Sequence, residues 1–336
     1  MMLPYRARCA LRRTGMVLLS LVFLALLFFA CWLIWLGRYV VYTRDGVRLD
    51  FSIPEQVAVG EPVKPTEPEE TVPIIYGDEL MQESTELSQL NGYYVDTNAL
   101  QKDISAVKAQ IQALPSGTPV MLDVKSIYGR FYYSSSVSEF RPDSIDIAAM
   151  DELIQYLCSS DKYVIARVPA LRDYLYGLNN VSEGLPVAGG YLWMDSDGCY
   201  WLNPARSGTL TYLVQIANEL KGLGFDEVVF SDFCFPKTDK IVFAQDKEAA
   251  LSTTAKTLVT TCATDRFAVS FVSDTVFTVP EGRCRLYIEN AEPANAGNVA
   301  QQTGLPDPAI RVVFLTELHD TRFNDYSVLR PLSAAH

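Results

Sequence analysis

Carboxylate side chains stand at or just past the end of nearly every apolar segment that could form a β-strand. These residues are Asp96, Asp123, Asp173, Asp232, Asp274, Glu289 and Glu317. In a parallel barrel, the carboxyl ends of the strands meet on one face, where catalytic groups are found. Hydrolysis of a glycosidic bond requires paired carboxylates, because one protonates the leaving oxygen and the other acts as nucleophile or base. Asp and Glu are also common in loops and helix caps, so each residue has a structural alternative.

Two of these carboxylates are stronger candidates for a functional role than the others. Asp123 and Asp232 each interrupt a strongly apolar strand, in the segments PVMLDVKS and GFDEVVFSDFCFP. A charge at such a position is costly unless it has a task or a partner. We therefore predict that Asp232 is one catalytic carboxylate and that Glu289 or Asp274 is the second.

Basic residues in the same strands are candidates for substrate binding. Lys125 lies two residues after Asp123, so both side chains point to the same side of the strand. An Asp–Lys pair there could orient a sugar hydroxyl or could be a structural ion pair. Arg167 could pair with Asp123 or Asp232 in the same way. We predict that Asp123, Lys125 and Arg167, together with Asp96, contact the substrate.

Two tryptophans bracket the segment WMDSDGCYW. Trp193 and Trp201 present aromatic faces of the kind that pack against the apolar face of a sugar ring. Packing of both rings over the mouth of the barrel is the alternative. Trp193 is our candidate for a substrate-binding aromatic residue.

The absence of several catalytic and cofactor-binding motifs narrows the range of possible reactions. The chain has two histidines, His319 and His336, and no HExxH, GxSxG, P-loop or GxGxxG motif. Its seven cysteines form no CxxC pair and are interpreted as small buried residues. The sequence therefore predicts neither a metal site nor a cofactor.

Apolar strands and amphipathic helices alternate from Asn91 onward. Continuous apolar strands between such helices indicate a parallel sheet covered by helices. Seven strands are predicted, at residues 92–96, 119–126, 163–171, 227–233, 267–274, 285–290 and 311–317. Residues 91–336 are thus predicted to form a (β/α)8 TIM-type barrel, degenerate in its C-terminal half. The fifth and sixth strands are so close that either a helix is missing there or one strand pair is antiparallel.

The first 90 residues predict a membrane anchor and a linker. Residues 15–37 contain no charge and are long enough to span a bilayer about 30 Å thick. Residues 1–14 form a basic tail, which favours a cytoplasmic N-terminus. Residues 38–90 hold a run rich in Pro and Glu that is predicted to be an extracellular linker. The barrel would then face outward from the cell membrane.

The net charge of −12 also bears on possible partners. Residues 1–48 hold seven arginines and one acidic residue, so the excess of negative charge lies in the rest of the chain. Nucleic-acid binding requires clustered Lys and Arg, which this part lacks. We therefore predict a polysaccharide partner and a membrane, and no nucleic acid.

Four segments, taken in order, resemble a known family. They are VMLDVKSIYGRFYYSS (120–135), YVIARVPALRD (163–173), WLNPARSGTLTYLVQIANE (201–219) and GFDEVVFSDFCFP. The chain resembles the putative glycoside hydrolase family of bacterial surface proteins, a TIM-barrel group distantly similar to α-amylase-type barrels. The resemblance implies a barrel that hydrolyses glycosidic bonds. Ser231 and Cys234 stand where the family has Asp and Arg, and Asp232 can replace the Asp only if the strand end twists or bulges.

Two functions follow from these patterns. The first is a membrane-anchored glycoside hydrolase that acts on cell-envelope or extracellular polysaccharide. The second is a catalytically inactive glycan-binding or envelope-scaffold protein on the same barrel, because fold alone does not imply activity. Two carboxylates that share an open cleft would favour the first.

Overall fold

The computed structural model describes residues 40–43, 46–49, 86–272 and 278–332. The chain divides into two units between Asp78 and Glu79. The described part of the first unit is an antiparallel pair of strands, β1 (Val40–Thr43) and β2 (Gly46–Leu49). The predicted membrane segment, residues 15–37, lies outside the described residues. Within the part that the structure describes, no helix has the length and apolar character needed to cross a bilayer.

The second unit is a closed barrel of eight parallel strands. The strands are β3 (Asn91–Val95), β4 (Pro119–Asp123), β5 (Tyr163–Pro169), β6 (Glu227–Ser231), β7 (Ala268–Val272), β8 (Leu286–Glu289), β9 (Val312–Leu315) and β10 (Ser327–Pro331). They follow one another in sequence order around the barrel, and β10 closes it against β3. This arrangement confirms the predicted (β/α)8 barrel.

Eight helices accompany these strands in the described part of the barrel. They are α1 (Thr97–Lys102), α2 (Ile104–Gln112), α3 (Ile147–Cys158), α4 (Tyr174–Asn179), α5 (Ser207–Leu223), α6 (Lys247–Cys262), α7 (Ala296–Gln302) and α8 (Pro308–Arg311). Aspartates begin several of them, since each Asp side chain accepts a hydrogen bond from a backbone N–H in the first turn. Asp103, Asp146 and Asp246 are caps of this kind.

Seven of the eight strands lie where the sequence predicts them, and β10 was missed. Its segment, SVLRP, is short and contains both an arginine and a proline. Of the two alternatives for the fifth and sixth predicted strands, a missing helix or an antiparallel pair, the antiparallel pair is wrong, because β7 and β8 are parallel, with Phe271 opposite Leu286. No helix lies between these two strands in the described residues 278–285. In the residues that the structure describes, the C-terminal half is therefore abbreviated in its helices, while its strands are complete.

The core has two layers. The larger one lies between the strands and the helices and includes Leu122, Leu213 and Phe230. The other fills the barrel itself and includes Met121, Ile165 and Val229. Neighbouring strand residues therefore face opposite layers, as the two-residue period of a strand requires.

A buried polar cluster lies at the amino end of the barrel interior. Glu227, at the start of β6, accepts hydrogen bonds from Arg285 (2.5 Å), Tyr163 (2.9 Å) and Tyr287 (3.0 Å). The side chains of Glu227 and Arg285 are 0 % and 1 % exposed. Burial and the charge of Glu227 raise the pKa of both tyrosines, so both phenols remain protonated donors. This cluster was not predicted from the sequence.

Candidate functional site

A cavity of about 700 Å³ opens at the carboxyl ends of the strands. Its walls come from the ends of β4, β5, β6 and β8 and from the long loop between β4 and α3. Four carboxylates line it: Asp123, Asp143, Asp232 and Glu289. Three basic residues line it as well: Lys125, Arg130 and Arg167. The cavity thus gathers residues from the predicted site at the end of the barrel where catalytic groups of this fold lie.

Arg167 joins two strands across the mouth of the barrel. Its Nε and Nη2 donate to the two carboxylate oxygens of Asp123, at 2.6 and 3.1 Å, and its Nη1 donates to Oε1 of Glu289 at 3.1 Å. The bidentate contact is a strong, directional form of ion pair. Of the two expected partners of Arg167, Asp123 is therefore the one that it binds.

Asp123 is held on its other side by Thr97. The backbone N–H and the hydroxyl of Thr97 donate to Oδ2 of Asp123, at 2.9 and 3.0 Å. Four hydrogen bonds thus converge on this carboxylate. Asp123 is therefore suited to hold Arg167 in place.

Asp232 reaches the cavity because the chain turns sharply at the end of β6. The strand ends at Ser231, and Asp232 has a φ of 49°. This left-handed conformation is uncommon outside glycine, although Asp and Asn adopt it more readily than most residues. A regular strand would point the Asp232 side chain away from the interior, whereas the turn places it in the cavity wall. This is the departure from a regular strand that the sequence analysis required.

Burial and the surrounding positive charges act in opposite directions on the carboxyl of Asp232. Burial raises the pKa of this carboxyl, while the positive charges of Arg172 and Lys125 oppose the rise. The hydroxyl of Ser231 donates to Oδ2 of Asp232 over a long distance, 3.5 Å. Asp232 is therefore a weakly bonded, partly desolvated carboxylate beside open space.

Glu289 ends β8 on another side of the same cavity. Its side chain is 42 % exposed, and the partial burial that remains raises the pKa of its carboxyl, while Arg167 opposes that rise. The negative charges of Asp232 and Asp123 raise the pKa further. The next residue, Asn290, also has a positive φ, of 57°. Both candidate carboxylates thus stand at sharp strand ends, in backbone conformations that often accompany functional sites.

Lys125 forms a fully buried ion pair with Asp173. The distance between its Nζ and Oδ2 of Asp173 is 2.8 Å, and both side chains are 0 % exposed. Lys125 also donates to the carbonyl of Pro169 at 3.0 Å, and Tyr212 donates to Asp173 at 2.9 Å. The partner is Asp173 and not Asp123, and these contacts favour the structural alternative for Lys125.

Gly129 allows the loop after β4 to approach this ion pair. Its φ is 77°, and a Cβ atom there would lie 2.3 Å from Oδ1 of Asp173. We expect Gly129→Ala to lower the free energy of unfolding by more than the roughly 1–2 kcal/mol that a left-handed conformation costs an L-residue. Gly117→Ala is the matched control, since Gly117 has a φ of 72° and nothing within 4 Å. Urea unfolding of both variants measures the difference, and equal losses would contradict the close contact.

Two predicted site residues, Asp96 and Trp193, lie elsewhere, and a third cannot be placed among the described residues. Asp96 caps α1 by accepting from the N–H of Ala99 at 2.9 Å, and it does not line the cavity. Trp193 does not line the cavity either, and Nζ of Lys240 lies 5.8 Å from the centre of its ring. Asp274 lies outside the described residues. Of the predicted catalytic group, the cavity therefore brings together Asp232 and Glu289.

Trp201 and the cysteines have packing roles. The indole N–H of Trp201 donates to Asp195 at 2.9 Å, and the residue is 7 % exposed. Of the five described cysteines, Cys199, Cys262 and Cys284 are buried, as predicted, whereas Cys158 and Cys234 are half-buried. No group of three or more His, Cys, Asp or Glu side chains in the described ranges could hold a metal ion.

Other residues of the cavity wall were not predicted from the sequence. Thr97, Tyr128, Arg130 and Tyr132 all line it. Three of them belong to the segment VMLDVKSIYGRFYYSS, whose tyrosine-rich turn was part of the resemblance. That turn was the available signal for Tyr128, Arg130 and Tyr132. Thr97 follows a capping aspartate, and nothing in its sequence context distinguishes it.

Comparisons with solved structures find many barrels of low sequence identity. A hypothetical protein from Ruminiclostridium thermocellum is 17% identical, with a TM-score of 0.46 over 53% of this chain and 96% of that one. The glycoside hydrolase domain of PelA from Pseudomonas aeruginosa is 11% identical, with a TM-score of 0.42 over 75% and 97%. The α-galactosidase from Lactobacillus brevis is 9% identical, with a TM-score of 0.49 over 74% of this chain and 38% of its own length.

A comparison with curated protein sequences finds no match. A family model described as "putative glycosyl hydrolase domain" matches residues 94–279, which is more than half of the chain. This match covers β4 to β7 and with them the residues Asp123, Arg167 and Asp232. The resemblance seen in the sequence is thereby confirmed, and the chain belongs to the putative glycosyl hydrolase domain family.

Proposed function

We propose that the barrel is a glycoside hydrolase that acts on cell-envelope or extracellular polysaccharide. The observation that carries this proposal is the pairing of Asp232 and Glu289 in one open cavity, with the pKa of each raised by burial. Glycoside hydrolysis requires two carboxyl groups on either side of the bond that is cleaved. Membership in the glycosyl hydrolase family supports the same chemistry.

The surroundings of the two carboxyls suggest different roles. The negative charges of Asp232 and Asp123 favour the protonated form of Glu289. We therefore assign Glu289 as the proton donor to the glycosidic oxygen. Arg172 and Lys125 favour the ionised form of Asp232, which we assign as nucleophile or base. The bond between the anomeric carbon and that oxygen breaks as Glu289 gives up its proton. Asp232 itself, or a water that it deprotonates, then bonds to the anomeric carbon.

Arg167 is proposed to position the reacting groups. It holds Glu289 from one side and is itself fixed by Asp123. Sugar hydroxyls that enter the cavity would meet the same guanidinium and carboxylate groups. In this proposal Asp123 and Arg167 orient the substrate, and Lys125 supplies positive charge beneath Asp232.

The sequence alone supports a proposal for where the chain is located. We propose that residues 15–37 anchor the chain in the cell membrane, that residues 1–14 lie in the cytoplasm and that residues 38–90 link the anchor to an extracellular barrel. The uncharged run, the arginines before it and the Pro/Glu-rich linker support this arrangement. The acidic barrel region argues against a nucleic-acid partner.

The test is release of reducing ends from purified cell-wall and exopolysaccharide fractions, measured with the full chain over a range of pH. We expect a bell-shaped profile, because activity needs ionised Asp232 and protonated Glu289. The rate rises with pH through the pKa of Asp232 and falls through that of Glu289. Since burial raises both values, both limbs should lie above the ordinary values of 3.8 and 4.5.

Other outcomes would contradict the proposal. Binding of a polysaccharide fraction without any release of reducing ends would identify a glycan-binding or scaffold protein. A rate that rises through a single pKa and then stays constant would exclude a proton donor that must remain protonated. Neither result would change the description of the fold.

A further inference from the structure

Tyr128 is the exposed aromatic residue of the cavity wall. The residues that line the cavity include two aromatic ones, Tyr128 and Tyr132. Tyr132 is 3 % exposed, and its hydroxyl lies 3.3 Å from that of Thr97, so it belongs to the packed wall. Tyr128 is 45 % exposed. A ligand in the cavity can therefore reach the ring of Tyr128 and is shielded from that of Tyr132.

The backbone around Tyr128 is fixed on both sides. The N–H of Ser126 donates to the carbonyl of Arg130 at 2.9 Å, and the N–H of Gly129 donates to the carbonyl of Ser126 at 3.1 Å. The N–H of Tyr174, at the start of α4, donates to the carbonyl of Ile127 at 3.0 Å. The close fit of Gly129 against Asp173 adds a further restraint. An aromatic ring presented on such a fixed turn loses little freedom when a ligand binds.

The ring of Tyr128 is not held by a strong polar contact of its own. Its hydroxyl lies 3.5 Å from the carbonyl of Asp197, at the weak limit of a hydrogen bond. The side chain thus extends from the loop after β4 towards the turn that contains Asp197, and it lines the cavity on the way. Its apolar ring stays available beside the carboxylates.

We propose that Tyr128 forms a sugar-binding subsite, in which its ring packs against the apolar C–H face of a pyranose unit of the substrate. This inference rests on the proposed function and assigns to Tyr128 the role that the sequence analysis gave to Trp193. Aromatic faces and sugar C–H faces match in shape and polarity, and water is released from both. The hydroxyl of Tyr128 is dispensable in this role.

Binding is tested in the full chain that carries Asp232→Asn, so that no probe is cleaved. The probes are hexasaccharides of (1→4)-linked glucose, N-acetylglucosamine and galactosamine, each titrated by calorimetry. We expect at least one to bind, since stacking recognises a ring face that many pyranoses share. Adding Tyr128→Ala should weaken that binding about tenfold. Adding Tyr128→Phe should leave it within about twofold, because the ring is kept.

Tyr191→Ala is the matched control. Tyr191 is 77 % exposed and lies outside the cavity, so the same truncation there should leave binding unchanged. The melting temperature of Tyr128→Ala should equal that of its parent, because an exposed ring contributes little to folding. The inference is overturned if none of the hexasaccharides binds, if Tyr128→Ala binds as tightly as its parent, or if Tyr128→Phe loses as much as Tyr128→Ala.

A separate measurement keeps this inference distinct from the proposed function. In the chain with Asp232 intact, Tyr128→Ala should raise KM about tenfold at nearly constant kcat, since stacking contributes equally to ground state and transition state. Binding that depends on Tyr128 in a protein without hydrolysis would contradict the proposed function alone. Hydrolysis that is indifferent to Tyr128→Ala would contradict the subsite alone.

Discussion

Asp232→Asn and Glu289→Gln should each lower kcat for polysaccharide hydrolysis by about 10²–10⁴-fold, the range for losing a positioned acid or base. Each substitution keeps the shape of the side chain and removes its ability to exchange a proton or attack as an anion. The two losses arise at opposite limbs of the pH profile. Asp232→Asn should remove the rise at low pH, and Glu289→Gln should remove the fall at high pH. The measurement is the rate of reducing-end release against pH for each variant.

Matched control variants distinguish the loss of a catalytic carboxylate from the loss of one negative charge. Asp239→Asn lies in the same loop as Asp232, and Glu292→Gln lies three residues after Glu289. Both residues are exposed and outside the cavity, so both variants should retain the wild-type rate. Loss of activity in Asp239→Asn equal to that in Asp232→Asn would show that net charge, and not a specific carboxylate, governs the reaction.

Reduced folding stability is not expected to explain the loss of activity in Asp232→Asn. The folded-state pKa of Asp232 is raised above its ordinary value, so its ionised form is less favourable in the folded chain than in the unfolded chain. Asp232 therefore opposes folding at pH values above its folded pKa, and this effect vanishes below the unfolded pKa. Asp232→Asn should be at least as stable as wild type at pH 7. A marked loss of stability at pH 7 would contradict this account of Asp232.

The barrel was predictable from the sequence because its strands are marked locally. Each predicted strand is a short apolar run between helical repeats, and such runs indicate a parallel sheet wherever they occur. The strand β10 carries Arg330 and Pro331 in only five residues, so its local signal is weak. Its place is set by the gap that β3 and β9 leave between them. Closure of the barrel is a property of the whole sheet, which no single segment reveals.

The residue types of the site were predictable from the sequence, but the contacts between its side chains were not. Asp123 and Asp232 were identified because each interrupts a strongly apolar strand, where a charge is costly, and Glu289 because it stands at the end of a predicted strand. The contact between Arg167 and Glu289 spans 122 positions in the chain, and it depends on the radius and stagger of the closed barrel. The position of Asp232 in the cavity depends on a single backbone angle. Trp193 was chosen for its residue type alone, and the fold places it away from the cavity.

The second large effect is on folding stability and concerns the buried ion pair of Glu227 and Arg285 at the amino end of the barrel. Glu227→Gln should lower the free energy of unfolding by about 3–5 kcal/mol, because it leaves the guanidinium of Arg285 buried without an opposite charge. Arg285 would keep its contacts to the carbonyls of Ser88 and Ile310, which cannot neutralise it. The new amide N–H groups would also face phenol donors. Chemical denaturation at pH 7 measures the loss.

A control and a double variant test this reason for the loss. Glu152→Gln is the control, since Glu152 is exposed on α3, and its effect should stay within about 0.5 kcal/mol. Arg285→Met combined with Glu227→Gln should be less destabilised than the sum of the two single variants, because no buried charge remains. Strict additivity would show that the two side chains contribute independently. A double variant that is less destabilised than the sum would show that each buried charge is tolerated only when the other is present. The role of the Glu227–Arg285 pair would then be to stabilise the amino end of the barrel, opposite the carboxylates of the cavity.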